Sequence, residues 1–400
     1  MTTLLIKVGI ILVPFYDIIF RAMPYLDIYL SGTRPQREII SLWIALFIAI
    51  RGLYTGNIKA INDKWLLIFL GFMFILNFQF GRGMLFAING VQSNSFWLWK
   101  PMFHSIVYFL AYLTIINTDF SEKQINSIVK TIAISGIVMA VYVCLQAFGI
   151  DQFFATQPFA LNPQNPVHNP HMAGTLGQPT IVAPFIALCL PFLLYKKWNI
   201  WAIFCIFVLF LIDSQVASAA CILSLCVYCY LKKPQSWIVI AIMLSGAALF
   251  LCLNPSYIGD SGRFGTWSQI ILDWSGTPFE GAKIAITGAG IGSFQYLFHA
   301  TNKTVFYQAH NEYIELLYSC GIIGLSLFMA VLFNIFSRAY KVYRRYADKR
   351  MSLMVALISS FACICLCAGG TFIWQLGVYR IYTVIIIGIM LNKSIQRGIV

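Results

Sequence analysis

Lys196-Lys197-Trp198-Asn199-Ile200-Trp201-Ala202-Ile203-Phe204-Cys205-Ile206-Phe207-Val208-Leu209-Phe210-Leu211-Ile212 is the stretch that decides the fold. From Ile200 to Ile212 every residue is apolar, so no face is left for water. A helix that is apolar all round belongs in a core or a bilayer. The two lysines before it mark where the chain meets an aqueous boundary. The same unit repeats on both sides, with an apolar run over 178–195 before it and another over 215–231 that ends at Lys232-Lys233. A membrane span needs about 20 mostly apolar residues. Working outward, the sequence offers about twelve such segments: 3–20, 38–54, 65–81, 101–118, 125–149, 178–195, 198–213, 215–231, 236–253, 312–337, 351–372 and 375–392. The expected architecture is an all-α polytopic membrane protein, with residues 1–400 forming one integral membrane domain. The first run has no basic segment before it and no small-residue cleavage site after it, so it is expected to stay as a span.

The composition agrees. Hydrophobic residues make up 60% of the 400 and charged residues 10%, with a mean hydropathy of +0.78. Soluble domains carry roughly 25% charged residues, so a soluble enzyme and a disordered chain are both excluded. The net charge of +13 comes from 27 bases against 14 acids. The bases are scattered between apolar runs, which argues against nucleic acid as a partner. They also set an orientation. With the N-terminus inside, 17 of the 27 bases fall on the cytoplasmic side and 8 outside, with Lys7 and Arg380 inside spans. The turns at 196–197, 232–233 and 338–350 are densely basic, and by the positive-inside rule both termini are expected in the cytoplasm. The eleven cysteines lie mostly in apolar runs and show no metal spacing and no disulfide framework.

Four external segments are long: 21–37, 82–100, 150–177 and 254–311, the last between the ninth and tenth spans. Long loops tend to carry function. Residues 150–177 contain His168 and His171, but Asn169-Pro170 between them opposes a helix that would bring both to one metal. Residues 254–311 hold three groups of interest. Arg263 reads as a solvated loop charge or as a planar fork for phosphate oxygens. The stretch after it, 264–272, contains Trp267 and reads as a short amphipathic helix suited to the membrane surface. Gly288, Gly290 and Gly292 permit a tight turn and close backbone approach, without the strand context of a dinucleotide fingerprint. The segment ends at His310-Asn311-Glu312-Tyr313-Ile314-Glu315, where a loop enters an apolar helix. His310 reads as an interfacial structural histidine or as a general base. Asn311 reads as a helix cap or a ligand-orienting amide. Glu312 and Glu315 fall in the first turn, where the helix dipole favours acids.

Taken in order, Arg263 with Trp267, Gly288 to Phe294, His310 with Asn311 and Tyr313, and Gly321 with Gly324 resemble the motif set of the O-antigen ligase and O-antigen polymerase superfamily. Gly174-Thr175-Leu176-Gly177-Gln178-Pro179-Thr180 is similar to that family's Gly-Thr-x-Gly-Asn-Pro-Asn segment. Recognisable similarity covers roughly 170–325. The resemblance implies a glycosyltransferase of the bacterial inner membrane, working at the periplasmic face. Its donor would be a glycan on undecaprenyl diphosphate, and its acceptor hydroxyl would belong to lipid A-core or to a growing glycan. It implies transfer without nucleotide sugar, metal or other cofactor. In that picture His310 takes the acceptor proton and Arg263 steadies the diphosphate leaving group. Substrate contacts would come from Arg380, Arg82, Gln215, Gln178, Asn311, Glu312 and Trp267, within surrounding membrane lipids. Gln215 stands where family members often carry an arginine, so another cation serves there, or donor handling differs, or activity is reduced. Arg82, Lys100 and Arg380 are the candidate cations, and Arg380, within the last span near its outer end, reads as a functional residue or as one that snorkels to the interface.

Ligase and polymerase are not separated by these motifs, because they share a donor and differ in acceptor. A protein O-oligosaccharyltransferase is a further reading, close in the wording of Gly177-Gln178-Pro179, but such enzymes usually run longer after the last core spans. A polysaccharide transporter or flippase is the non-enzymatic reading. It would place its charges at mid-membrane, whereas most candidates here lie at the outer surface.

Overall fold

The computed structural model describes residues 1–21, 35–58, 96–148, 174–176, 179–212, 214–233, 309–345, 351–371 and 376–396, with isolated positions at 67–68, 71, 172, 241, 245, 265, 267–268, 270–271, 286, 288 and 374. Among them the fold is helical and has no strand. The helices are α1 (Thr2–Arg21), α2 (Pro35–Tyr54), α3 (Phe96–Asn117), α4 (Glu122–Ala147), a single 3-10 turn (Gly174–Leu176), α5 (Pro179–Tyr195), α6 (Asn199–Ile212), α7 (Gln215–Lys232), α8 (Glu312–Arg345), α9 (Met351–Ala368), α10 (Gly377–Met390) and the short α11 (Lys393–Gln396). Helices therefore stand at ten of the expected spans. The segments 65–81 and 236–253 lie almost wholly outside the described residues, as do the long segments 82–100 and 150–177 and most of 254–311.

Among the described residues, four stretches are long and apolar enough to cross a membrane: Glu122–Ala147, Gln215–Lys232, Glu312–Arg345 and Gly377–Ile395. The remaining apolar helices are shorter, such as Asn199–Ile212. The outside of the bundle is apolar as well as the inside. On α6 Cys205, Val208, Leu209 and Ile212 are buried, while Ile203, Phe207 and Phe210 are more than half exposed. A water-facing helix would carry polar residues there. These are the surfaces of a membrane protein.

The centre of the bundle is α5, whose residues from Ile181 to Leu193 are all buried. It packs against α4, α6, α7 and α9, while α10 closes against α1, α2, α3 and α9. Helix α5 holds two prolines, Pro184 and Pro191, and α1 holds Pro14. A proline lacks the N–H for the carbonyl four residues back, and its ring pushes on that turn. In lipid a stranded carbonyl needs a partner from a neighbouring helix. The sequence supplies hydroxyls at those places. Tyr382 donates to the Ile10 carbonyl at 2.8 Å, four residues before Pro14. Ser360 donates to Leu188 at 2.7 Å, three before Pro191, and Tyr379 donates to Ile181, three before Pro184. The buried tyrosines of α10 thus tie it to the turns that precede the prolines of α1 and α5.

One helix departs from the hydropathy reading. Helix α8 continues to Arg345, past the expected end at 337, because Arg338, Ala339, Lys341, Arg344 and Arg345 are good helix formers even though they are not membrane residues. It also breaks at Gly321, where φ is 64°. The cysteines match their expected role as small buried apolar residues. Cys205, Cys221, Cys226, Cys363 and Cys367 are buried, and the described cysteines are all free. Cys363 and Cys367, one turn apart, share the buried face, while Cys365 is only half-buried.

Candidate functional site

The site is built around the entry into α8. Asn311 caps the helix: its Oδ1 accepts from the amides of Tyr313 at 3.0 Å and Ile314 at 3.2 Å. That satisfies two of the first-turn donors. Glu312 and Glu315 follow in the first turn, both half-buried. Immediately before the cap, His310 has φ 52°, in the left-handed region. A non-glycine residue is held there only where its surroundings over-determine it, and such places concentrate at functional sites.

Those surroundings are visible on the other side of His310. Ala309 is buried, and its carbonyl accepts from Trp267 Nε1 at 2.6 Å. Ile270 is buried with Ala309 and Tyr318, and Trp267 and Ile314 pack against them. The described residues of the 264–272 stretch are helical, as expected. Trp267 and Ile270 pack on the start of α8, while Ile271 is exposed. Trp267 therefore acts as a clamp on the loop that carries His310.

The glycine motifs meet here too. At Gly288, φ is 82°, and a Cβ would lie 2.2 Å from the Ser319 carbonyl oxygen. At Gly321 a Cβ would lie 2.3 Å from the Ile286 carbonyl oxygen and 2.6 Å from the Gly288 nitrogen. The first glycine of the Gly-x-Gly-x-Gly run and the first of the Gly-x-x-Gly pair are thus in backbone contact. The break in α8 is where the preceding loop crosses it. The sequence shows both motifs but gives no sign that they are two halves of one joint.

From Tyr313, three residues after His310, a chain of contacts leads across the bundle. Its ring meets the Trp374 indole edge-on with centroids 5.8 Å apart, and its hydroxyl donates to the Cys365 carbonyl at 2.7 Å. Phe328 joins Trp374 at 5.1 Å. The Trp374 carbonyl accepts from Arg380 Nε at 2.7 Å. Arg380 Nη1 lies 2.8 Å from His104 Nδ1. A guanidinium can only donate, so in this bond His104 Nδ1 is the acceptor. His104 is buried on α3, and sequence reasoning missed it. Its one signal is a histidine inside an expected span, and it lies upstream of the region that carries the motifs.

Of the residues expected to form the site, His310, Asn311, Glu312, Trp267 and Arg380 are brought to one end of the bundle. Gln215 opens α7 on an exposed face at the same end, where its neighbour Val216 packs against Gly370, in the turn that leads to Trp374. Arg263, Arg82 and Gln178 lie outside the described residues. The Gly174-Thr175 part of the upstream motif is an anchor: Thr175 donates to the Pro14 carbonyl at 2.6 Å, and the Gly174 amide donates to Gln146 Oε1 at 2.7 Å. No protein-family model and no curated protein matches this chain.

Proposed function

We propose that the chain is a multi-pass glycosyltransferase of the bacterial inner membrane, with both termini in the cytoplasm and about twelve spans. It transfers a glycan from undecaprenyl diphosphate to an acceptor hydroxyl on the periplasmic face, as an O-antigen ligase with lipid A-core as acceptor. The observation that supports this reading is the entry into α8, where His310 is held at positive φ between the Trp267 clamp and the Asn311 cap, and where Tyr313, three residues on, is linked through Trp374 to Arg380. This arrangement supports His310 as base and Arg380 as permanent cation for a lipid-linked diphosphate and a polar acceptor.

The chemistry asked of these groups balances. The acceptor oxygen attacks the anomeric carbon, and its proton passes to His310. The bond from that carbon to the diphosphate oxygen breaks, and undecaprenyl diphosphate leaves with the electron pair. Arginine charge, from Arg380 and Arg263, opposes the negative charge that develops on the leaving group. The ordered motifs over 170–325 support the same class.

Deletion of the gene in its host, followed by gel analysis of lipopolysaccharide, tests the reading. Loss of long-chain capped core with accumulation of lipid-linked glycan is the expected result. Core capped with a single unit would assign polymerase. Unchanged lipopolysaccharide with unglycosylated protein would assign oligosaccharyltransferase. No glycan phenotype at all would refute the class.

A further inference from the structure

We infer that the basic end of α8, joined to the end of α7, is a binding surface for acidic phospholipid headgroups. Beyond its break at Gly321, helix α8 is longer than the hydrocarbon core of a bilayer is thick. From Ile322 to Arg345 it extends about 36 Å at 1.5 Å per residue. The hydrocarbon core is about 30 Å thick, and 40–45 Å including headgroups. The apolar part of α8 ends at Phe336, so the two turns from Ser337 to Arg345 rise through the headgroup layer.

Those turns carry Arg338, Lys341, Arg344 and Arg345, of which Lys341, Arg344 and Arg345 are exposed. They are not an independent tail. Tyr343 donates its hydroxyl to the Leu231 carbonyl at 2.6 Å, and Val342 and Ala339 are buried beside it. This bond fixes the α8 extension at the depth of Lys232 and Lys233, both exposed at the end of α7, with the Lys232 ammonium 5.6 Å from the Tyr228 ring centroid. Two basic runs far apart in sequence therefore become one patch. No acid occurs within 226–233 or 335–345. Exposed Tyr230 and Tyr340 flank the charges, and tyrosine is the residue type that favours the interface.

Orientation alone does not require this arrangement, because the positive-inside rule is satisfied by bases anywhere in a short loop. Convergence is the additional feature. A folded, hydrogen-bonded surface presents Lys232, Lys341, Arg344 and Arg345 together at headgroup depth, all four exposed. Clusters of 4–8 bases just beyond a span recognise anionic lipid.

The test uses the full-length protein in detergent, titrated with phosphatidylglycerol or phosphatidylcholine and read by native mass spectrometry. Each base near an anionic surface is worth roughly fivefold in affinity. Phosphatidylglycerol should bind well ahead of phosphatidylcholine, and R344Q/R345Q should weaken it roughly 25-fold by the same arithmetic. K123Q/K130Q removes the same charge from α4 and should leave binding nearly unchanged. Raising salt on the wild-type protein should weaken phosphatidylglycerol binding, a readout that needs no variant to fold. Equal affinity for the two lipids, equal effects of the two double variants, or no salt dependence would overturn the inference. Selective capture of an acidic protein with no lipid preference would also overturn it.

Discussion

Gly321→Ala tests the joint that holds the candidate site together. The added methyl would sit 2.3 Å from the Ile286 carbonyl oxygen, 2.4 Å from its carbon and 2.6 Å from the Gly288 nitrogen. All three are backbone atoms, so no side chain can swing aside. The backbone at Gly321 also has φ 64° and ψ −172°, a region essentially restricted to glycine, which costs an L-residue about 1–3 kcal/mol. Overpacking a tight contact adds about 1–3 kcal/mol. The expected destabilisation is the sum, about 2–6 kcal/mol. Gly265→Ala is the control: it is helical, its φ is ordinary, and a Cβ there meets nothing within 4 Å. That change should be neutral or slightly stabilising, since glycine in a helix costs about 0.5–1 kcal/mol relative to alanine. Unfolding in mixed micelles with increasing SDS, followed by circular dichroism, would compare the two. If Gly321→Ala unfolds at the same SDS fraction as Gly265→Ala, the crossing of the glycine run over α8 is not a structural joint.

Single contacts give three more expectations. Asn311→Ala should cost about 0.5–2 kcal/mol by removing the α8 cap, while Asn311→Asp should restore most of it; the same SDS titration reads both. Tyr382→Phe removes the donor to Ile10 and the bond to Ser135 at 2.9 Å and should destabilise by about 1–3 kcal/mol. An equally stable Tyr382→Phe would mean that the carbonyl before Pro14 needs no partner. His104→Ala should release Arg380 Nη1, raising the KM for lipid-linked donor several-fold with little change in kcat, whereas His104→Asn keeps an acceptor and should recover most of it. Equal KM values for both variants would separate His104 from the handling of donor.

Much of the fold is legible because hydropathy is a one-dimensional property. An all-apolar run such as Ile200–Ile212 has few alternatives to a buried or lipid-facing helix. The same property is blind beyond the end of an apolar run, so it does not show the extension of α8 to Arg345. Nor does it show that hydroxyls of α9 and α10 serve carbonyls of α1 and α5, because those bonds join residues as far apart as Ile10 and Tyr382. At the site, local rules work. Asn311 before Glu312 and Glu315 reads as a cap, and it is one. The Trp267 stretch reads as helical, but its packing against Ala309 and Tyr318 is not legible, because an amphipathic pattern gives a face without naming its partner. The role of His104 depends on a contact across 276 residues. No spacing rule reaches that far.

The central claim is that His310 does chemistry at the mouth of α8. The most direct measurement is complementation of a deletion strain with His310→Ala, with membrane insertion confirmed by immunoblot and lipopolysaccharide resolved on a gel. The account predicts an inserted protein, loss of capped core and accumulation of lipid-linked glycan. Full capping of the core by the inserted variant would contradict it.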